Sequence, residues 1–389
     1  MGVVYLAIAR FRSDQKEAIS KNFVNLAKSL ASSGHQVTAI SPTGFDSDVE
    51  VSQHTFRKHS RYESLLEGLI NLICLCFILN RLLPSSLTAK VNIHIATPME
   101  LLIVFLFLKP CYRRQTTLSV WQCYLSYQEY RNNRRFFLRN FAQYFHLLAF
   151  NSFICSGIYR YLLGFFKQVI VHSAYQKTQI SALTKLPVNF VQNGVFPDAF
   201  AKPKSFDSGL LSLLYIGHAK PSKGVDVLIE IIAKLRQRQQ VNFHLTLCLS
   251  GFGSQRRVEQ LIEENELEAY VTFKENIDVA TEMAIADLLI LPLRTCVGTS
   301  LTPNIIVEAI SCGLPIAISE FAQLDEVIQF DKNAIRIDLQ DLTFSAKSIE
   351  GVHDKEALKQ LSSYQLRQFK QAFTLDQFVA GYSAQLGLE

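Results

Sequence analysis

GTSLTPNIIVEAISCGLP, running from Gly298 to Pro315, decides how this chain is read. Thr302 is a good N-cap, and Pro303 suits the first helical position, where a missing N–H costs nothing. Gly313 and Pro315 then stop the helix in the expected order. Within it Ile306, Ala309 and Ile310 form an apolar stripe, while Asn304, Glu308 and Ser311 recur at i, i+4 and i+7 on the opposite, non-core face. Upstream, ADLLILP (Ala286–Pro292) predicts a buried strand feeding the loop, and PIAIS (Pro315–Ser319) predicts the next strand. A helix N-terminus, with free amides and a positive dipole end, is therefore expected at the carboxyl edge of a parallel sheet, where phosphates bind. An ordinary βαβ unit with a solvated polar stripe fits the same spacing.

Outward from this stretch the grammar repeats. LLSLLYIG (Leu210–Gly217) predicts a strand, HAKPSK a loop, Gly224–Gln239 a helix and FHLTLCLSG a further strand. Gly251-Phe252-Gly253 is expected to open a helix over Ser254–Glu264, AYVTF a strand, and a pair of helices comes after Lys355. The first half begins the same way. GVVYLAIA (Gly2–Ala9) predicts a strand, about Gln15–Ser32 a helix with Ile19, Phe23, Leu26, Ala27 and Leu30 on one face, and HQVTAIS a second strand. Tyr62–Leu83 predicts a largely buried helix, VNIHIA (Val91–Ala96) and Thr117–Val120 bracket a helix over Met99–Leu108, and QVIVH and VNFVQ add two strands. Trp121 and Gln122 fall at a strand end. No glycine-rich turn succeeds the first strand, so a dinucleotide fingerprint is absent. Asn193-Gly194 and Pro197 mark a turn before a polar, irregular stretch. The fold class is α/β, with two Rossmann-like domains facing a cleft: residues 1–196, residues 197–365, and a terminal segment 366–389 packing back on the first.

At 389 residues, 49% hydrophobic and 19% charged, the chain has the composition of a well-packed globular protein. Its longest apolar run, Leu101–Leu108, falls short of the ~20 residues that span a bilayer. Met1–Ala9 lacks a basic region before it and reads as a strand rather than a signal peptide. Eight cysteines are scattered without metal-ligand pairing, Cys74 and Cys76 included, as expected of reduced thiols in a cytosolic protein. The net charge of +5 hides an asymmetry: residues 1–195 hold 21 Lys and Arg against 9 Asp and Glu, the remainder 18 against 25. Leu101–Lys177 carries ten basic residues, one acid (Glu129) and 19 aromatics, densest at RNNRRFFLRNF (Arg131–Phe141). Such a surface suits an anionic membrane or a lipid-linked phosphate. A helical core with a solvated basic face fits as well. Nucleic acid is the rival partner, but no base-reading motif accompanies the patch.

Six segments in register resemble retaining GT-B glycosyltransferases of the family-4-like kind, the glycosyl transferases group 1. VQNGV (Val191–Val195) is similar to the family's interdomain turn, YIGHAKPSKGVDVLIEII (Tyr215–Ile232) to its strand, loop and helix with a phosphate-binding Lys, and LSGFGSQRRVEQL (Leu249–Leu261) to its glycine-pair loop. SLTPNIIVEAISCGLPI (Ser300–Ile316) resembles the segment with two glutamates eight apart, AQLDEVI (Ala322–Ile328) the family's next segment, and FTLDQFVAGY (Phe373–Tyr382) the closing helix. The resemblance implies that Lys223 meets the donor diphosphate, that Glu308 holds the ribose hydroxyls, and that Gly217, Gly251 and Gly253 let backbone approach the nucleotide. It implies the same neighbourhood for Lys220, Ser300, Leu301, Thr302 and Asn304. The chain departs from the family at His218, which stands where an Arg is usual and is expected to be catalytic with Lys223 and Glu308, and at Ser300, where the first glutamate is usual; Lys220 lies in the same loop as the missing Arg. FRSDQKEAIS replaces the glycine-rich loop after the first strand, and Trp121-Gln122 a frequent His.

Fixed cations and helix N-termini can neutralise a departing diphosphate without a metal, and no acidic pair spaced as a metal holder stands out. Metal-independent transfer is expected on that ground, and the resemblance implies retaining transfer of a hexose-type sugar from a nucleotide sugar to a glycan acceptor, expected to be lipid-linked, in surface polysaccharide or glycoconjugate assembly. No cofactor is expected beyond the nucleotide-sugar substrate. The expected location is cytoplasmic, peripheral at the inner face of the membrane. A non-catalytic GT-B module that scaffolds a glycan assembly complex is the alternative, with an epimerase or a phosphorylase behind it. His35 and His172 are expected to be structural.

Overall fold

The computed structural model describes residues 3–12, 18–57, 65–83, 89–122, 125, 127–141, 144, 156–195, 206, 209–275, 277–295 and 303–388. They form two compact units: one built from the described parts of Met1–Asn193 with Leu375–Glu389, the other from those of Gly194–Cys296 and Thr302–Thr374.

In the first unit the strands are β1 (Val4–Ile8), β2 (Val37–Ser41), β3 (Ser52–Thr55), β4 (Lys90–Ile95), β5 (Thr116–Val120), β6 (Gln168–Val171) and β7 (Val188–Phe190). They make one parallel sheet in the order β3-β2-β1-β4-β5-β6-β7. Runs such as VTAIS and QVIV are buried on both faces, as β-branched strands under two helical layers are. SQHT at β3 is the strand that hydrophobic pattern does not reveal: it is polar, half-exposed and held at the sheet edge by its ladder with β2. The helices are α1 (Ala18–Ser32), α2 (Leu65–Leu82), α3 (Pro98–Phe107), α4 (Pro110–Arg113), α5 (Tyr127–Asn132), α6 (Arg134–Arg139), α7 (Ser156–Leu163) and α8 (Ala174–Ser181). Helix α1 buries Phe23, Leu26, Ala27 and Leu30, the face read from the sequence, with Ile19 half-buried. Thr97 caps α3 and Pro98 opens it. Helix α2 departs from expectation, because it buries Leu72, Leu75, Cys76 and Leu79 but leaves Ile70 and Phe77 in the open.

In the second unit β8 (Leu211–Ala219), β9 (Phe243–Gly253), β10 (Val271–Lys274), β11 (Leu288–Leu291), β12 (Ile316–Ser319) and β13 (Ala334–Ile337) form a parallel sheet ordered β10-β9-β8-β11-β12-β13. Its helices are α9 (Val225–Arg238), α10 (Gln255–Glu264), α11 (Val279–Ile285), α12 (Asn304–Ser311), α13 (Leu342–Glu350) and α14 (Lys355–Ala372). The last helix, α15 (Leu375–Leu386), belongs to the first unit, where Leu375, Phe378 and Tyr382 share a core with Phe23, Leu26 and Trp121.

Three local expectations change. Pro303 is the N-cap residue of α12, extended at φ −57° and ψ 134°, rather than its first helical residue, and Thr302 lies outside the described residues. The stripe Asn304, Glu308 and Ser311 is buried rather than solvated, since α12 is enclosed on both sides. Gly251 and Gly253 complete β9 instead of opening α10, which Ser254 caps by accepting from the Arg257 N–H.

Candidate functional site

The strand order of the second sheet reverses between β8 and β11: β8 leads outward to β9, while β11 leads the other way to β12. Crevices at the carboxyl ends of such a pair are where open α/β sheets take ligands. Both motifs singled out in the sequence arrive at this point.

From β8 the chain makes a short 3-10 turn, Pro221–Lys223, and enters α9 through Gly224. Gly224 is left-handed, at φ 68°, and a Cβ there would lie 1.9 Å from the Pro292 carbonyl oxygen, so only glycine fits. Lys223 is the half-buried last residue of this turn, set immediately before the first amides of α9. Lys220 is the turn's exposed N-cap residue. His218 and Gly217 sit half-buried at the end of β8. The glycine serves packing, because a Cβ on Gly217 would come within 2.9 Å of the Tyr215 hydroxyl, which itself donates to the His218 carbonyl at 2.9 Å. Burial pushes the Tyr215 phenol well above its usual range, so it stays protonated and holds the end of the strand.

The β11 side is tied to the same turn. The Arg294 N–H donates to the Ser222 carbonyl at 2.9 Å, and its guanidinium reaches the Pro221 carbonyl at 3.1 Å. The same guanidinium grips both oxygens of Asp226 at 2.6 and 2.8 Å, a two-pronged contact that a lysine could not make. Arg294 and Asp226 are thus positioning residues that sequence reading missed. Their signal was present: an arginine two residues past the strand-ending Pro292, and an acid in the first turn after Lys223-Gly224.

At the β8–β9 edge the register slips, with Gly217 opposite Leu249 but Ala219 opposite Gly253, so β9 carries a bulge over the intervening residues. Gly253 has φ 99°, and a Cβ on it would strike the Ala219 carbonyl at 2.0 Å. Gly251 lies on the bulged segment. Beyond β11, Asn304 opens α12 and Glu308 comes one turn later, both buried. Ser300, Leu301 and Thr302 lie outside the described residues. The architecture gathers Lys220, Lys223, Gly253, Asn304 and Glu308 on elements that meet at one sheet edge. Among the described residues, no group of three or more His, Cys, Asp or Glu is placed to hold a metal ion.

The first unit has its own reversal, between β1 and β4. There Arg10 pairs with the buried Glu100, whose second oxygen accepts the Ala96 N–H at 2.7 Å. Beneath that edge lies a sealed aromatic network. Trp121 Nε1 donates to His94 Nδ1 at 2.9 Å and stacks on His172 at 3.7 Å, and the Tyr382 hydroxyl bonds His172 Nε2 at 3.2 Å and Ser119 Oγ at 3.0 Å. Burial holds both histidines neutral, their pKa values pushed down to about 3. His172 is structural, as the sequence suggested.

In the basic stretch, Arg131, Arg134, Arg135 and Arg139 are exposed on α5 and α6, whereas Phe136, Phe137 and Tyr144 pack on one another beneath them. The aromatic interleaving is therefore largely a small core.

Residues 211–354, most of the second unit, match the family model described as glycosyl transferases group 1. These residues are therefore similar to a group 1 glycosyltransferase domain. An uncharacterized glycosyltransferase of Methanocaldococcus jannaschii is 22% identical over 237 residues, which span 60% of this chain and 63% of that protein. Among solved structures, sucrose-phosphate synthase of Thermosynechococcus elongatus aligns over 99% of this chain and 98% of its own with a TM-score of 0.74 at 16% identity. HepE of Anabaena, solved in complex with UDP-glucose, aligns over 100% of both chains with a TM-score of 0.69 at 15% identity. At such identity these likenesses speak for the fold: two parallel sheets wrapped by helices, the GT-B glycosyltransferase architecture. Within the matched residues, the turn at Lys223 and the start of α12 occupy the switch-point edge of the sheet.

Proposed function

We propose that this chain is a glycosyltransferase that moves a sugar from a nucleotide-sugar donor to a glycan acceptor. The observation that carries the proposal is the switch point of the second sheet. There the turn that ends in Lys223, before a helix N-terminus, is tied by Arg294 to the strand whose next helix carries a buried glutamate. Lys223 and the amides opening α9 and α12 would meet the diphosphate, and Glu308 would accept the ribose hydroxyls. Positive charge fixed in place stabilises the diphosphate as the bond from the anomeric carbon breaks and an acceptor oxygen takes its place, with the acceptor hydroxyl losing its proton. HepE, which shares the fold, was solved with UDP-glucose, so a uridine nucleotide is the first donor to try.

The finer features belong to the same proposal: a hexose-type sugar, retention at the anomeric carbon, no requirement for metal, and a lipid-linked acceptor in surface polysaccharide or glycoconjugate assembly. We place the chain on the cytoplasmic side, peripheral to the inner face of a membrane; among the described residues, no helix is long and apolar enough to cross one.

The test is nucleotide release from a panel of nucleotide sugars, with and without added acceptor and chelator. One donor should be consumed, faster with acceptor and equally well with chelator. If no donor is consumed and no nucleotide raises the melting temperature, the proposal gives way to a non-catalytic scaffold.

A further inference from the structure

Thirteen large apolar side chains are exposed among the described residues, and six of them lie on three helices of the first unit: Ile70 and Phe77 on α2, Leu106 and Phe107 on α3, Ile158 and Tyr161 on α7. Phe77, Leu106 and Tyr161 are 61%, 58% and 64% exposed. These helices pack side by side, α2 against α3 and α3 against α7. Their rings run across the face: Phe77 to Phe107 at 6.1 Å, then Phe105 to Phe165 at 4.9 Å and Phe165 to Tyr161 at 5.0 Å. Helix α3, PMELLIVFLF, is apolar all round, and its one charge, Glu100, points into the unit. A surface helix in a water-exposed protein normally presents a polar outer face; one that does not is covered by something.

The charges around the face identify what covers it. Arg81, Lys109, Arg113 and Arg114 cluster where α2 and α3 end, Arg160 lies on α7 and Lys167 just beyond it. On the described parts of these helices and their connections the acids are Glu67, ion-paired with Arg57, and the buried Glu100. An apolar face rimmed by cations alone suits the interface of an anionic bilayer, which takes the rings among its acyl chains and the cations at its headgroups.

We propose that the outer face of α2, α3 and α7 is a membrane-docking surface that inserts its aromatic and aliphatic side chains into an anionic lipid leaflet. This deepens, and rests on, the peripheral location proposed above, but it assigns docking to the apolar face rather than to the arginines of α5 and α6. Because α2 and α3 precede β4 and β5, their basic ends lie at the amino edge of the sheet, away from the carboxyl edge that carries Arg10 and Glu100. Docking there leaves that edge open.

The experiment is flotation of the full chain with phosphatidylcholine vesicles, with and without phosphatidylglycerol, comparing the parent with the triple variant Phe77→Ser, Leu106→Ser, Tyr161→Ser. The parent should float with anionic vesicles, and the variant should lose at least ~10-fold in partitioning at an unchanged melting temperature. Phe107→Trp supplies a second readout that does not depend on the triple variant folding. The single native tryptophan, Trp121, is buried, so quenching of new fluorescence by brominated acyl chains reports insertion at position 107. Equal flotation of parent and variant, or no quenching at position 107, overturns the docking face. A parent that does not float, but forms a dimer that the triple variant dissolves, overturns it in favour of a second copy. Nucleotide release measured without vesicles tests sugar transfer separately and should be the same in parent and variant.

Discussion

In the proposed donor site Lys223 and Glu308 have different roles, so their losses should look different. Removing a cation aimed at a departing diphosphate mainly slows the bond-breaking step, and Lys223→Ala should lower kcat by roughly 100-fold. Glu308→Ala removes a carboxylate acting on the nucleoside, which contributes about equally before and during reaction; KM for the donor should rise ~10-fold or more with kcat less affected. Steady-state kinetics with the donor found by nucleotide release separates the two, and unchanged kinetics in both variants would remove the site. Gly224 offers a stability test at the same scale. A methyl there meets a carbonyl at 1.9 Å on a left-handed backbone, so Gly224→Ala should cost roughly 2–4 kcal/mol in denaturant unfolding. The same substitution at Gly157, where nothing lies within 4 Å of the added carbon, should change stability by ~0.5 kcal/mol or less.

Among elements, the docking of α15 against β5 and β6 is the most exposed to pH. His94 and His172 have folded pKa values of about 3 against 6.5 in the unfolded chain, so both are neutral when folded and charged when unfolded at mild acidity. Their stabilising contribution is complete above the unfolded value and is lost progressively as pH falls from 6.5 toward 3. Each adds a slope of about 1.4 kcal/mol per pH unit well below the unfolded pKa. Denaturant unfolding at stepped pH should show stability dropping below pH ~6, and His172→Gln should flatten the profile. Tyr382→Phe leaves His172 and Ser119 short of a partner and should cost about 1–3 kcal/mol. Most of these elements were legible in the sequence because buried parallel strands are apolar runs punctuated by glycine and proline. The switch-point loop was legible because a proline, a lysine and a glycine fall together just before a helical run. The rest was hidden for identifiable reasons. Polar β3 exists through pairing, not burial; the buried Glu308 stripe and the outward-facing α2 depend on which neighbours cover a helix; and Arg294 acts across 68 residues, beyond any local pattern.

At the scale of the whole molecule, charge and chemistry are divided. Residues 1–195 carry 21 cations against 9 acids and hold the apolar face, while the acidic remainder holds the residues that match the group 1 model. Salt therefore separates two modes of membrane attachment. Attraction through Arg131, Arg134, Arg135 and Arg139 is screened beyond roughly 10 Å at ~0.1 M salt, whereas inserted side chains resist screening. Flotation of the parent should fall only partly on raising salt, and neutralising those four arginines should leave it nearly unchanged; complete release by salt would argue for surface attraction without insertion. The proposed sugar transfer stands on the switch point of the second sheet. It is tested most directly by calorimetric titration of nucleoside diphosphates and nucleotide sugars into the parent, Lys223→Ala and Glu308→Ala. One diphosphate should bind the parent saturably and each variant at least ~10-fold more weakly; no binding by the parent, or equal binding by all three, would contradict a donor site at Lys223 and Glu308.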